Sequence, residues 1–143
     1  MSYFPRKRKG PKSDRSKAMA KADKAFSEFI RLRDTPGQCP TCGGFISFEN
    51  SDNCHYIGRA NLTTRYDELN CHAGCRKCNR FRSGEIVRYR VWLVERFGEG
   101  RIADMERLSL LPGSKMTAFD FELIAQKYKV KAKELAYKKP AKN

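Results

Sequence analysis

Cys71-His72-Ala73-Gly74-Cys75-Arg76-Lys77-Cys78-Asn79, read together with Cys39-Pro40-Thr41-Cys42, decides how this chain folds. Each segment holds a Cys-x-x-Cys knuckle, the spacing at which two thiolates and the neighbouring backbone amides close on one side of a tetrahedral ion. Two knuckles supply four sulfurs and leave no open position for water or substrate. The reading is a structural Zn²⁺ held by Cys39, Cys42, Cys75 and Cys78. Gly43 to Gly74 is more chain than a simple zinc ribbon places between knuckles, which predicts a further structure inserted there. Cys54 and Cys71 stand outside both knuckles and are expected to pack as small apolar side chains.

Within the insertion, Phe45-Ile46-Ser47-Phe48 and Cys54-His55-Tyr56-Ile57 flank the polar cluster Glu49 to Asn53, a pattern that predicts a β-hairpin. Both histidines of the chain, His55 and His72, lie in the insertion. With Asn70 and Asn79 they form a polar group that a zinc staple would gather around the second knuckle. A near-neutral imidazole can take a proton from water, and a hard divalent cation on few oxygen or nitrogen ligands stabilises charge on a phosphoryl group. These residue types suit phosphodiester hydrolysis, and they suit bracing a zinc module equally well.

Outward from this centre the pattern is helical. Ser13 or Asp14 is a plausible N-cap, and Ala18, Ala22, Phe26, Phe29 and Ile30 recur at helical spacing before Thr35-Pro36-Gly37, which predicts a helix over 14–34. A second helix over 85–97 carries Ile86, Tyr89, Leu93 and Phe97 on one stripe, widened by Trp92 and Val94 and stopped by Gly98. A third over 101–110 holds Ile102, Met105 and Leu108. A last helix over 117–136 holds Phe121, Ile124, Tyr128 and Leu135. The expected class is α+β: one domain over 13–136, with a zinc-stapled core at 39–82 flanked by helices, a flexible basic arm at 1–12 and a basic tail at 137–143.

Thirty Lys and Arg against sixteen Asp and Glu give a formal charge of +14, gathered towards the two ends, so a nucleic acid is the expected partner. Arg59, Arg65, Arg76, Arg80 and Arg82, with the lysine-rich last helix, are candidate phosphate contacts. No apolar run approaches the ~20 residues of a bilayer span, and the basic N-terminus leads into polar sequence unlike a secretory signal. The expectation is a cytoplasmic protein without membrane contact, its cysteines reduced and free for metal.

The ordered set Cys39-x-x-Cys42, Asp52-Asn53-Cys54-His55-Tyr56, Asn70-Cys71-His72-Ala73-Gly74-Cys75-x-x-Cys78-Asn79 and Ser83-Gly84 resembles the phage NinG family, also called Rap. The likeness extends upstream to Phe29-Ile30-Arg31-x-Arg33-Asp34 and downstream through Tyr89-Arg90-Val91. It implies an HNH (ββα-metal) nuclease of phage recombination that nicks D-loops and Holliday junctions with Mg²⁺ or Mn²⁺. On that likeness His55 is the general base, Asn70 the middle asparagine that braces the motif, and Asn79 the final metal ligand. His72, specific to the family pattern, is either a second metal ligand or a phosphate contact. Many HNH proteins place an aspartate directly before the base, where this chain has Cys54. Asp52 is the nearest acid, and strand alternation would turn it away from His55, so it ranks low as a ligand. Cutting both strands of a junction implies a homodimer, and phage or host recombination proteins are candidate partners. The rival readings are a zinc-ribbon DNA-binding module without catalysis and an HNH enzyme that nicks ordinary duplex.

Overall fold

The computed structural model describes residues 10–81, 85–113 and 115–139, with Phe81 described in its backbone. The expected arm therefore falls largely outside the described residues, as do Arg82, Ser83, Gly84 and the end of the tail. Five helices and two small antiparallel sheets follow in the order α1 (Asp14–Asp34), β1 (Gly37–Gln38), β2 (Phe45–Ile46), β3 (Ser51–His55), β4 (Cys71–Cys75), α2 (Arg76–Phe81), α3 (Ile86–Phe97), α4 (Glu99–Ser109) and α5 (Ala118–Lys138). The class is α+β, as expected.

Ser13 caps α1 by accepting the Ser16 amide, and the helix buries Ala18, Ala22, Ala25, Phe26, Phe29 and Ile30. Thr117 and Asp120 form a reciprocal capping box on α5, which buries Phe121, Ala125, Tyr128 and Ala132. Alanines on both faces let the two backbones come close. The helices run parallel: Arg15 of α1 donates to the Met116 carbonyl just before α5, whereas Lys139 just beyond α5 reaches the Leu32 and Thr35 carbonyls at the far end of α1. α5 thus continues through Lys138, two residues into the stretch expected as tail.

The pairing of the strands corrects the expected hairpin. Phe45–Ile46 pairs with Gly37–Gln38 across the first knuckle, and Ser51–His55 pairs with Cys71–Cys75 across the long 56–70 connection. The Glu49–Asn53 cluster looks like a turn locally, yet the positions of the cysteines dictate which strands meet. β1 and β2 flank Cys39 and Cys42, while β4 ends on Cys75 and delivers Cys78 on the first turn of α2.

The β3–β4 hairpin is the middle layer. Cys71 packs with Phe26, Phe29 and Tyr128 on the α1/α5 side. Cys54 packs with Tyr89, Leu93, Ile102 and Met105 of α3 and α4 on the other. Burial pushes the Cys54 and Cys71 thiols up, which keeps them protonated and apolar, as expected of packing residues. Tyr89 is buried and donates its hydroxyl hydrogen to the Cys54 carbonyl at 2.9 Å. Ile86, expected on the same core stripe, is 43% exposed, because α3 meets the hairpin only from Tyr89 onward. Among the described residues no helix is long and apolar enough to cross a membrane.

Candidate metal centre and polar cleft

The four knuckle sulfurs all lie within 4.8 Å of one another and could hold a metal such as zinc. A tetrahedral ion with Zn–S bonds of about 2.3 Å separates its sulfurs by roughly 3.8 Å. Cys42 Sγ and Cys75 Sγ are 3.8 Å apart, which is that spacing, and no pair of the four is more than about an ångström wider. The Cys78 amide donates to Cys75 Sγ at 3.4 Å, the contact that stabilises a thiolate at a knuckle. Thr41 Oγ1 lies 3.2 Å from Cys39 Sγ. Gly74 is where β4 passes tightly beneath the Cys54 side chain of β3, next to the centre. A Cβ there would fall 2.7 Å from Cys54 Sγ and 3.7 Å from Cys39 Sγ, so only glycine fits without displacement.

Beside this centre lies a cleft of about 520 Å³, lined by Asp52, Asn53 and His55 of β3, Asn79 and Arg80 of α2, Asp23, Ser27 and Arg31 of α1, and Arg59. His55 and Asn79, paired in the sequence reading, therefore share one cavity. Asp52 joins them. Strand alternation does set it off from His55, but α2 runs past the edge of β3 and draws the carboxylate over: Asn79 Nδ2 donates to Asp52 Oδ2 at 3.1 Å, and Arg80 donates from Nε at 3.0 Å. Arg76 Nε stands 3.5 Å from the same carboxylate.

The imidazole of His55 is held by one ring nitrogen. Nε2 lies 2.9 Å from the Arg65 carbonyl, which can only accept, so Nε2 carries the proton and the neutral ring keeps its lone pair on Nδ1. Burial lowers the His55 pKa, the hydrogen bond to the Arg65 carbonyl offsets part of that effect, and the charges of Arg59 and Arg65 lower it further. The free base is thus the resting form at neutral pH.

Arg65 fixes that carbonyl with its own side chain. Its guanidinium forks onto Asp23 of α1 at 2.9 and 2.7 Å and donates to the Arg59 carbonyl. Tyr66 donates to Asp23 at 2.8 Å. Arg65 is 9% exposed, so the expectation that it meets phosphate is corrected: its charge is committed to the ion pair that ties the 56–70 connection to α1. Asn70 braces the other end. Fully buried, it accepts from the Ile57 amide at 2.7 Å and donates to the Ile57 and Thr64 carbonyls at 2.9 and 3.0 Å.

His72 stands elsewhere. It pairs with Cys54 in the register, whereas His55 pairs with Cys71, so the two imidazoles leave opposite faces of the hairpin. His72 Nδ1 meets Arg33 at 3.0 Å and Asp34 at 3.5 Å, and Nε2 meets the Leu69 carbonyl at 3.1 Å. This placement separates it from Asn79, so the geometry gives it no part in the His55 cleft. Asp34 is held well below the usual carboxylate range: burial opposes its charge, but hydrogen bonds from His72 and Arg33, the Arg33 charge and the Ala73 amide together prevail.

Sequence reasoning passed over Asp23, Ser27, Arg31 and Asn53. The first three recur at every fourth position of α1, a polar row beside the apolar stripe, and that periodicity was a usable signal. Asn53 had none. Its Oδ1 is buried without a hydrogen-bond partner among the described residues, and the residue lines the same cleft as Asp52 and Asn79. A carboxylate, a carboxamide and an orphaned carbonyl oxygen are a donor set that fits a hard divalent cation.

No solved structure matches the chain. Similar sequences are known: the protein called ninG of Salmonella phage P22 is 33% identical over 121 residues, 85% of this chain and 59% of that protein. The protein of the same name from Escherichia phage lambda is 31% identical over 121 residues, 85% of this chain and 58% of its own length. The chain therefore spans less than two thirds of these relatives. The sequence model of the family described as "Bacteriophage Lambda NinG protein" matches residues 4–138, nearly the whole chain, and the chain belongs to the NinG family of bacteriophage proteins.

Proposed function

We propose that the chain is a metal-dependent DNA endonuclease of the HNH (ββα-metal) kind, which nicks branched recombination intermediates such as Holliday junctions and D-loops in the cytoplasm of the phage's host. The observation that carries the reading is the single cleft holding Asp52, His55 and Asn79 on strand β3 and the helix after β4. Asn70 locks the intervening connection, and the cysteine centre, with Zn²⁺ bound, clamps β4 and α2 onto the first knuckle.

His55 is the general base, its Nδ1 taking a proton from the attacking water while the Arg65 carbonyl holds Nε2. Asp52, Asn79 and the Asn53 carbonyl would hold Mg²⁺ or Mn²⁺. When bound, such an ion stabilises the charge that develops on the phosphate oxygens. Arg80 and Arg76 pair with Asp52 at 3.0 and 3.5 Å. Arg59, exposed at the cleft, faces the phosphate backbone, and cleavage at the 3′ oxygen leaves 5′-phosphates. Backbone contacts carry no base code, so the preference is for shape, and binding weakens steeply with salt.

Two cuts across a junction require two cleavage centres, which favours a two-fold dimer. Val87 and Val91, 79% and 53% exposed one turn apart on α3, offer an apolar patch for it. The reading is tested by supplying labelled four-way junction, D-loop and linear duplex of one sequence with and without Mg²⁺ or Mn²⁺. Metal-dependent nicking that favours the branched substrates is expected. Equal cutting of linear duplex would make the protein a general nickase, and binding without cutting would leave a zinc-stapled DNA-binding module.

A further inference from the structure

A second cavity of about 740 Å³ opens on the face of the hairpin away from His55, between the end of α1, the first knuckle and the α3–α4 corner. Three rings line it. His72 lies edge-on to Trp92 at 4.9 Å and stacked on Phe97 at 5.4 Å between centroids, and Trp92 meets Phe97 at 6.1 Å. Trp92 and Phe97 are half-buried and line the cavity.

Two guanidiniums border the rings. Arg96 stands 5.3 Å from the Trp92 centroid, and Arg101 stands 5.8 Å from that of Phe97. Both are exposed, and neither forms an ion pair among the described residues. The acids of the cavity are already matched: Asp34 by Arg33 and His72, Glu68 by Lys131. The cavity thus sets aromatic rings under exposed arginines whose charge no acid among the described residues matches.

We propose that this cavity binds an unpaired nucleotide of single-stranded DNA, its base against Trp92 and Phe97 and its phosphates on Arg96 and Arg101. Its volume falls within the few hundred to a thousand Å³ of sites for small organic groups. Stacking on aromatic side chains is open only to a base outside a duplex, and it tolerates any base because each has a π face. A metal ion is a poor occupant, since both nitrogens of the one imidazole are taken by neighbours. The inference goes beyond cleavage and stands without it, since a protein that never cut DNA would still show the binding.

Trp92 is the only tryptophan, so its fluorescence reports on this cavity alone. The full zinc-loaded chain is titrated with oligothymidylate of about a dozen nucleotides, within the usual footprint of single-strand sites, and with duplex of equal length. Affinities are taken in parallel from the anisotropy of a labelled strand. Saturable quenching by the single strand, absent with duplex at equal occupancy, is expected. The exposed pair Arg96→Ala/Arg101→Ala should weaken single-strand binding about tenfold and erase the preference over duplex, with Lys127→Ala/Lys129→Ala as the charge-matched control that lowers both affinities alike. The proposal is overturned if single strand binds without changing Trp92 emission. It is equally overturned if the arginine pair leaves the ratio of single-strand to duplex affinity where it was.

Discussion

Asp52 accepts a hydrogen bond from Asn79 at 3.1 Å across 27 positions of sequence, and the same carboxylate carries Arg80 at 3.0 Å. Arginine and a divalent cation would therefore compete for one group. An ion pair this exposed is worth at most about 1 kcal/mol, or roughly fivefold in a binding constant. Arg80→Ala is expected to lower the Mg²⁺ concentration for half-maximal nicking two- to fivefold, by about that margin, while it weakens DNA binding. A rise in the metal requirement would mean that Arg80 assists the site.

The state of His55 sets a pH dependence. Its folded pKa lies below the ordinary value of 6.5, chiefly through burial. Nicking under single-turnover conditions should therefore rise with pH with unit slope, bend at a midpoint below 6.5 and stay flat through neutrality. Stability follows the same sign: the unfolded chain binds the extra proton, so the contribution present above 6.5 is lost as pH falls through the folded value. A rate still climbing above pH 8 would assign the base to another group.

The cysteines divide into two classes, and zinc content separates them. Cys75→Ser should abolish stoichiometric zinc and lower the melting temperature by many degrees, because the folding energy of a structural site comes from the bound ion. Chelation of the wild type should do the same. Cys54→Ala and Cys71→Ala should keep a full complement of zinc, since both thiols are buried in apolar clusters. Zinc lost from either would place a second ligand set in the hairpin.

How far the sequence could be read is plain from individual residues. The bounds of α1 were legible because cap, apolar period and Pro-Gly stop agree locally. The four-cysteine cluster was legible because its spacing reflects the geometry of a metal knuckle. Strand pairing was not, since the Glu49–Asn53 cluster carries no information about a partner beyond the 56–70 connection. Proximity in sequence likewise grouped His72 with Asn79, and only the register, which sets Cys54 opposite His72, reveals that it leaves the other face. Arg65 looked like one basic residue among many until Asp23, 42 positions away, claimed it.

Gly74 gives a test of packing within the β3–β4 hairpin beside the cysteine centre. Gly74→Ala forces its Cβ to 2.7 Å from Cys54 Sγ, and overpacking of this kind costs about 1–3 kcal/mol. Adding Cys54→Ala removes the clashing sulfur, and the next contacts, at 3.6 and 3.7 Å, are ordinary. The double variant should recover most of the melting temperature that the single one loses. Strictly additive losses would contradict this account of the glycine.

The central claim, that His55 activates water in a cleft shared with Asp52 and Asn79, is tested most directly by His55→Ala in single-turnover nicking of a labelled four-way junction with Mg²⁺, with binding measured in the same buffer. The account predicts a rate lower by about 10²–10⁴-fold, the usual contribution of a general base, with junction affinity and zinc content unchanged. Nicking at the wild-type rate by a folded, zinc-loaded His55→Ala protein would contradict it.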